Sequence, residues 1–184
     1  DWLRHAQSFY DDLAKDYKKV IVGGMSMGAN LSLNIAAHNK VAGVIAMGTP
    51  LFFQFEPVLR VWSWMFRNTT SIRKKHYTPR DTKIAKKKVH YLYFPPQSMY
   101  EAVRSGLTTR EVISKITAPI FIIHTNTDHV TSMKSVDFLM SQVKSEIKEK
   151  LIVKNCYHVF TVDKCADRVN KTIGEFVDKI FNSN

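Results

Sequence analysis

The chain has 184 residues, of which 45% are hydrophobic and 23% are charged. This length and balance fit one globular unit with a sizeable core, and they exclude a disordered or collagen-like chain. The net charge of +11 is typical of proteins that bind nucleic acid or anionic membranes, so the position of the basic residues has to be considered.

Helical and strand patterns alternate in the first part of the chain. Apolar residues recur at helical spacing over residues 2–17, and the short apolar run 20–23 then predicts a strand. Residues 27–38 return to a helical pattern, and residues 41–47 predict a second buried strand. Such an alternation predicts a parallel sheet with helical crossovers, whose strands are covered on both faces.

Aromatic and basic helical segments interrupt this alternation over residues 51–115. Three helix-start signals occur there: Thr78-Pro79-Arg80-Asp81, Ser98-x-x-Glu101 and Thr108-x-x-Glu111. We therefore expect an inserted helical cap over residues 52–112. Residues 1–51 and 113–184 would form the core, which we expect to be incomplete at its N-terminus.

The sheet pattern resumes after the predicted cap. Residues 119–124 and 151–153 predict buried strands, and apolar positions over 136–143 predict a helix between them. A long helix is expected over residues 169–180, with Asp163 as its N-terminal cap.

The two cysteines, Cys156 and Cys165, predict neither a disulfide framework nor a metal site. We therefore expect a reducing, cytoplasmic environment. The first residues are not a signal peptide and no Met opens the chain, so upstream sequence is expected.

The sequence Gly24-Met25-Ser26-Met27-Gly28 fits the pattern G-x-S-x-G, directly after a predicted strand and before a predicted helix. A nucleophilic serine needs a tight, strained turn there. Gly24 and Gly28 lack a Cβ and would let strand and helix approach closely, and the amide of Met27 would face a developing oxyanion. The alternative is an ordinary glycine-rich or phosphate-binding turn, but no G-x-G-x-x-G or P-loop pattern is present.

An acid and a histidine follow Ser26 in the order Ser, Asp, His, which is typical of a nucleophile elbow of this type. Asp128 follows the strand 119–124, at the sheet edge where ligands bind in open α/β sheets. His158 follows the strand 151–153 and precedes the last helix. His158 is therefore the predicted general base and Asp128 the predicted acid.

Other residues compete for these roles. His124 lies at the end of a predicted strand, and His129 is adjacent to the predicted acid. Asp163 is an alternative acid, although it follows His158 and so breaks the expected order. If the two residues have no catalytic role, His158 is a surface histidine and Asp128 a solvated loop aspartate.

These segments together resemble the bacterial carboxylesterases related to monoacylglycerol lipases. The resemblance rests on Gly-Met-Ser-Met-Gly after a strand, on Asp128, and on His158-Val-Phe-Thr-Val-Asp163 before the last helix. It covers essentially the whole chain and is weakest in the cap. It implies an α/β-hydrolase fold, a mostly parallel sheet with helices on both faces and an inserted cap.

The same resemblance implies a serine hydrolase of short- to medium-chain carboxylic esters or monoglycerides, with no cofactor and no metal. The catalytic roles would fall on Ser26, Asp128 and His158, and an oxyanion role on the Met27 amide. In one respect the chain differs from the family. The His-Gly-aromatic loop that supplies a second oxyanion donor does not occur here, and loss of one such donor costs about 10²–10³ in rate.

Basic and aromatic residues are interleaved in the predicted cap, as in membrane-surface or single-strand nucleic-acid binders. They are Trp62, Trp64, Phe66, Arg67, Arg73, Lys74, Lys75, His76 and Lys86-Lys87-Lys88. A solvated cap face is the plainest interpretation, and weak association with an anionic membrane surface is the next. We expect no nucleic-acid partner, because no recognised module is present. An inactive or truncated binding protein of this fold and a lipid-binding module are the alternative functions.

Overall fold

Helices and strands alternate in the computed structural model of the chain, which describes residues 2–74 and 93–182. In chain order the elements are α1 (Trp2–Asp16), β1 (Ile21–Met25), α2 (Met27–His38), β2 (Gly43–Met47), α3 (Glu56–Phe66), β3 (Arg73–Lys74), β4 (Tyr93–Phe94), α4 (Pro96–Val112), β5 (Ile120–Thr125), α5 (Lys134–Gln142), β6 (Lys148–Val153) and α6 (Ala166–Asn182). None of the described helices combines the length and the hydropathy needed to cross a bilayer.

Four strands form one parallel sheet in the order β1-β2-β5-β6. Met25 at the end of β1 pairs with Met47 at the end of β2, and Met47 pairs with Ile123 of β5. The predicted parallel sheet is therefore confirmed. The carboxyl ends of its strands share one edge, and the loops that follow β1, β2, β5 and β6 all emerge there.

Both faces of the sheet are buried. Successive strand residues point to opposite sides, and the residues on each side belong to a separate core. Val44 and Ile122 belong to a core shared with residues of α1, α2 and α5. Ile45 and Phe121 belong to a second core, built with α6. The rings of Phe121 and Phe176 lie 5.4 Å apart in that core. Helices thus cover both faces, as the apolar strands predict.

The cap region packs α3 against α4, and β3 pairs with β4 in a short antiparallel ribbon. Two of the predicted helix starts are wrong, because both lie inside α4, which begins at Pro96. Ser98 Oγ bonds back to the carbonyl of Pro95 at 2.7 Å, and Thr108 Oγ1 bonds back to that of Arg104 at 3.2 Å. The third predicted start, at Thr78, lies outside the described residues. The cap boundaries stay a prediction.

One apolar stripe of α1 is exposed in this chain. Trp2 and Phe9 of α1, and Tyr17 just after it, are each more than half exposed. Tyr10 is buried, and its hydroxyl donates to the Lys40 carbonyl at 2.9 Å. The helix predicted over residues 2–17 is confirmed, and one face of it packs on the core.

Cys156 and Cys165 form a disulfide, a bond that the sequence did not predict. The loop after β6 folds back on itself and brings their Cα atoms to 6.3 Å, a distance that the spacing in sequence does not reveal. The inference of a reducing cytoplasm loses its basis, because persistent disulfides belong to oxidising compartments.

Candidate active site

Ser26 occupies a strained turn between β1 and α2. Its φ of 55° and ψ of −121° lie outside the regions that a residue with a Cβ normally adopts. The turn is held because the Ser26 amide donates to the Met47 carbonyl at 2.8 Å and the Ser26 carbonyl accepts from the Ala29 amide at 2.9 Å. Met27 is the first residue of α2, where amides have no carbonyl partner within the helix.

The two glycines of this turn have different steric roles. A Cβ built on Gly24 would overlap the carbonyl group of Gly28 and lie 2.8 Å from the Ala29 nitrogen. A Cβ built on Gly28 would meet no atom within 4 Å. The close approach of strand and helix therefore requires glycine at position 24, and the contacts around position 28 do not.

Asp128 is buried in the loop after β5 and accepts four hydrogen bonds. Its Oδ1 accepts from the amides of Val130 and Thr131 at 2.8 and 2.9 Å. Its Oδ2 accepts from Thr131 Oγ1 at 2.9 Å and lies 2.7 Å from His158 Nδ1. Burial alone would raise the pKa of Asp128, but His158 and these amides outweigh it and lower the pKa to about 2.

This network assigns the tautomer of His158. Asp128 is ionised and so can only accept hydrogen bonds. The Nδ1 of His158 must therefore donate to it, and the neutral imidazole then has a free lone pair on Nε2. A lone pair in that position is what a general base uses to take a proton.

The loop that carries His158 is anchored at several points. The carbonyl of Cys156 accepts hydrogen bonds from Thr125 Oγ1 and Thr127 Oγ1, both at 2.6 Å. The Tyr157 amide donates to Asp163 Oδ2 at 2.8 Å. The prediction that Asp163 caps the last helix is wrong, because α6 begins only at Ala166 and this carboxylate holds the loop instead.

Ser26 and His158 approach the same two residues at the end of β2. The Met47 carbonyl accepts a hydrogen bond from the Ser26 amide. The next residue, Gly48, has a φ of +52° and lies next to the imidazole of His158. A Cβ at Gly48 would lie 3.3 Å from His158 Cε1. Thr161, from the histidine loop, also donates to the Sδ of Met25, directly before Ser26, at 3.5 Å.

The competing residues are placed differently. His124 is buried on β5, and its Nε2 lies 3.9 Å from Asp128 Oδ2 and has no hydrogen-bond partner. Burial is the main cause that lowers the pKa of His124, against the attraction of Asp128. His129 packs edge-on against the ring of Tyr157 at 5.5 Å. Within residues 2–74 and 93–182, no cluster of three or more His, Cys, Asp or Glu side chains suits a metal ion.

Three contacts hold the loop that carries Asp128 (the acid loop), and the sequence pattern predicts none of them. Phe53 pairs antiparallel with Thr131 in an isolated bridge, and the Gln54 amide donates to the Val130 carbonyl at 3.0 Å. The side chain of Gln54 also donates to the Asp128 carbonyl at 3.0 Å. The start of the predicted cap is thus fastened to the loop that holds the acid.

A cavity of about 1050 Å³ lies between α3, α4 and the segment 52–57. Gln54 and Ser132 line it, so it adjoins the acid loop. The lining also includes aromatic, aliphatic and basic side chains, among them Phe52, Phe53, Trp64, Tyr100, Val103, Leu107, Arg60, Arg104 and Lys134. Glu56, the acid among its described lining residues, is paired with Arg110 at 2.7 Å.

The family model described as serine aminopeptidase, S33, matches residues 1–164. A carboxylesterase of Bacillus subtilis (strain 168) is 21% identical over 184 residues, which are 98% of this chain and 72% of the relative. A thermostable monoacylglycerol lipase of Bacillus sp. (strain H-257) is 24% identical over 165 residues, which are 89% of this chain and 64% of the relative. The chain thus spans less than two thirds of the second relative.

Solved structures share the fold. The monoacylglycerol lipase of Paleococcus ferrophilus superposes with a TM-score of 0.79 at 13% identity, covering 97% of this chain and 76% of that one. A soluble variant of the monoglyceride lipase from Saccharomyces cerevisiae, in complex with a substrate analog, also has a TM-score of 0.79, at 17% identity, and covers 97% and 69%. The α/β-hydrolase fold expected from the sequence is confirmed.

Proposed function

Because the chain belongs to the serine aminopeptidase S33 family of α/β-hydrolases, we propose that it contributes the catalytic centre of a serine hydrolase that cleaves carboxylic esters. Ser26 is the nucleophile, His158 the general base and Asp128 the acid. The observation that carries the proposal is the 2.7 Å contact between His158 Nδ1 and Asp128 Oδ2, at the sheet edge where Ser26 holds a strained turn.

In the first step, Ser26 Oγ attacks the ester carbonyl while His158 Nε2 takes its proton. The ionised Asp128 stabilises the imidazolium that forms and keeps Nδ1 as the donor. The amide of Met27, at the start of α2, donates to the developing oxyanion. The imidazolium then returns the proton to the leaving alcohol. Water cleaves the acyl-enzyme, with His158 again as base.

Short- to medium-chain acyl esters and monoglycerides are the proposed substrates. The similarity to a carboxylesterase and a monoacylglycerol lipase supports this class. The cavity beside the acid loop offers aromatic walls at Phe52, Trp64 and Tyr100 that suit an acyl chain. Neither a cofactor nor a metal ion is part of this mechanism.

A fluorophosphonate probe tests the proposal, because it labels only an activated serine. We expect labelling of the wild type, located on Ser26 by mass spectrometry, and none of Ser26→Ala. Ser141→Ala, at an exposed serine of α5, is the matched control and should label like the wild type. A folded wild type that takes up no label would contradict the proposal and favour an inactive binding protein.

Turnover distinguishes the ester from the amide substrate. Hydrolysis of p-nitrophenyl butyrate should depend on Ser26, whereas an aminoacyl p-nitroanilide, chosen to match the aminopeptidase description of the family, should react more slowly. A p-nitrophenyl series of increasing acyl length would give the chain-length preference. Faster cleavage of the anilide would contradict the ester assignment.

Weak association with an anionic membrane surface is a second candidate function. Phe55, Val58, Val61 and Met65 of the α3 region are 60–85% exposed on one side of the cap. Arg67 lies over the ring of the exposed Trp64 at 4.6 Å and adds positive charge there. Basic helices with an exposed apolar face bind lipid interfaces. Co-sedimentation with phosphatidylglycerol vesicles, weakened by salt and by Val61→Glu, would support it, and no co-sedimentation at low salt would exclude it.

A further inference from the structure

Both cysteines of the chain take part in one disulfide, and the loop that this disulfide closes carries His158. Cys156 precedes the histidine and Cys165 follows it, at a sequence separation of 9. A covalent bond across so short a loop restricts the positions of every residue between its ends. The restricted loop contains the predicted general base.

The disulfide joins the two ends of the loop, and each end is also held by hydrogen bonds. Cys156 is fully buried, and its carbonyl is held by the hydroxyls of Thr125 and Thr127 at the end of β5. Cys165 lies at the start of α6, where its carbonyl accepts from the Val169 amide at 3.0 Å. The bond therefore ties the carboxyl edge of the sheet to the first turn of the last helix.

Non-covalent contacts hold the loop between these ends, among them the hydrogen bond from the Tyr157 amide to Asp163 Oδ2 at 2.8 Å. The Val162 amide reaches the Val159 carbonyl at 3.4 Å, and the Asp163 amide reaches that of Phe160 at 3.3 Å. The imidazole itself fits a narrow place, with Asp128 Oδ2 2.7 Å from Nδ1 and the Gly48 backbone next to the ring. Small displacements of a catalytic group of about 1 Å can cost about 10²-fold in rate.

We propose that the Cys156–Cys165 disulfide is a positioning element for His158, which holds its imidazole against Asp128 at the sheet edge where Ser26 lies. The inference rests on the proposed function of Ser26 and His158. It identifies Cys156 and Cys165 as residues that act on the reaction through the histidine, without contact with the substrate.

Opening the disulfide is a two-electron reduction. A phosphine reductant attacks Cys165 Sγ, because Cys165 is partly exposed whereas Cys156 is fully buried. The S–S bond breaks and Cys156 leaves as a thiolate. Water then releases Cys165 from the phosphonium as the phosphine oxide forms, and the two sulfurs end as thiols with two protons gained.

Reduction of the whole chain with tris(2-carboxyethyl)phosphine tests the proposal. With two thiols per chain titrated and the far-UV circular dichroism unchanged, kcat for p-nitrophenyl butyrate should fall by about tenfold or more while KM stays within about twofold, because the general base is displaced and the binding surface is not. The pH profile of kcat should also shift. Reoxidation with glutathione disulfide should restore kcat.

A variant separates the disulfide from other effects of the reductant. Cys165→Ser keeps the size of the side chain and removes the bond, so its kcat should match that of the reduced wild type and should not respond to the phosphine. Fully reduced, folded wild type that keeps kcat within about twofold of the oxidised enzyme would overturn the proposal.

Hydrogen exchange measures the positioning without relying on turnover. The amides of residues 157–164 should exchange faster after reduction, and those of β2 and β5 should keep their protection. Unchanged exchange in the loop, or equal loosening of the sheet, would overturn the proposal. If the oxidised chain shows no turnover that depends on Ser26, the proposed function fails, and the exchange of this loop still decides whether the disulfide holds His158.

Discussion

Gly48 lies next to the imidazole of His158, so that a Cβ on Gly48 would stand 3.3 Å from Cε1 and 3.4 Å from Nδ1. The φ of Gly48, +52°, is one that residues with a Cβ rarely adopt. The backbone conformation therefore favours glycine directly after β2, and a Cβ there would press on the imidazole. The same position links the turn at Ser26 to the loop of His158, because the preceding carbonyl, that of Met47, accepts from the Ser26 amide.

Gly48→Ala is expected to lower the free energy of unfolding by about 1–2 kcal/mol, from the positive φ, and to lower kcat by about tenfold or more, from displacement of His158. Gly174→Ala is the matched control, because Gly174 lies inside α6 and a Cβ added there would meet no atom within 4 Å. It should stabilise the protein by about 0.5–1 kcal/mol. Urea denaturation and ester turnover measure both effects, and an active Gly48→Ala would contradict the contact.

Replacement by alanine of the two glycines around Ser26 should change the free energy of unfolding by very different amounts. Gly24→Ala places a methyl group into the backbone of Gly28, which we expect to cost about 3 kcal/mol or more. Gly28→Ala places it in open space on α2 and should change the free energy of unfolding by no more than about 1 kcal/mol. Denaturation curves of the two variants suffice, and equal losses would show that the turn is packed differently.

The hydroxyl of Thr131 supports the carboxylate oxygen that contacts His158. Thr131→Val removes this donor, so the pKa of Asp128 should rise and the free energy of unfolding should fall by about 1.5–3 kcal/mol. Thr131→Ser keeps the hydroxyl and should recover most of both. The pKa is measured by NMR titration of the Asp128 carboxyl carbon. A valine variant that titrates like the wild type would argue against this bond.

Asp128 should make stability depend on pH in strongly acidic solution. Its pKa is lowered from 3.8 to about 2 on folding. Its contribution to the free energy of unfolding is therefore complete above pH 3.8 and is lost as the pH falls towards 2. The expected loss is about 2 kcal/mol. Asp128→Asn should remove this part of the acid dependence, and Asp178→Asn, at an exposed site on α6, should keep it. Equal pH dependence in both variants would contradict the low pKa.

His124 should act in a separate pH window. Burial lowers its pKa below 6.5, so the unfolded chain takes up a proton as the pH falls below 6.5 while the folded chain does not. The contribution of neutral His124 to stability is therefore complete above pH 6.5 and declines below it. Urea denaturation of His124→Gln should show a flatter dependence there than the wild type or the exposed His5→Gln. A steeper dependence in His124→Gln would contradict the neutral histidine.

Periodic patterns predicted the core elements well, because hydrophobic periodicity determines which face of each element is buried. The prediction of α2 from residues 27–38 matches the structure. The chain order Ser, Asp, His also led to the two residues that prove to be in contact, Asp128 and His158. Their catalytic roles stay a prediction.

Contacts that depend on the folded chain escaped the sequence patterns. The apparent capping box at Ser98 fails because its hydroxyl bonds back to Pro95 within a helix that has already begun. Gln54 reaches the Asp128 carbonyl across a sequence separation of 74, which no local pattern encodes. The pairing of Cys156 with Cys165 requires the loop to fold back, a property of the fold and not of the cysteine spacing.

The antiparallel bridge between Phe53 and Thr131 determines where a foreign cap can be grafted onto this scaffold. A chimera joined after Gln54 keeps the backbone bonds that fasten the acid loop, since the Gln54 amide and side chain both belong to them. A junction placed at Pro50 would exchange these residues together with α3 and α4 and would remove these bonds to the loop of Asp128. Recombination among relatives can therefore replace the chain downstream of residue 54 while these bonds to the loop of Asp128 are kept.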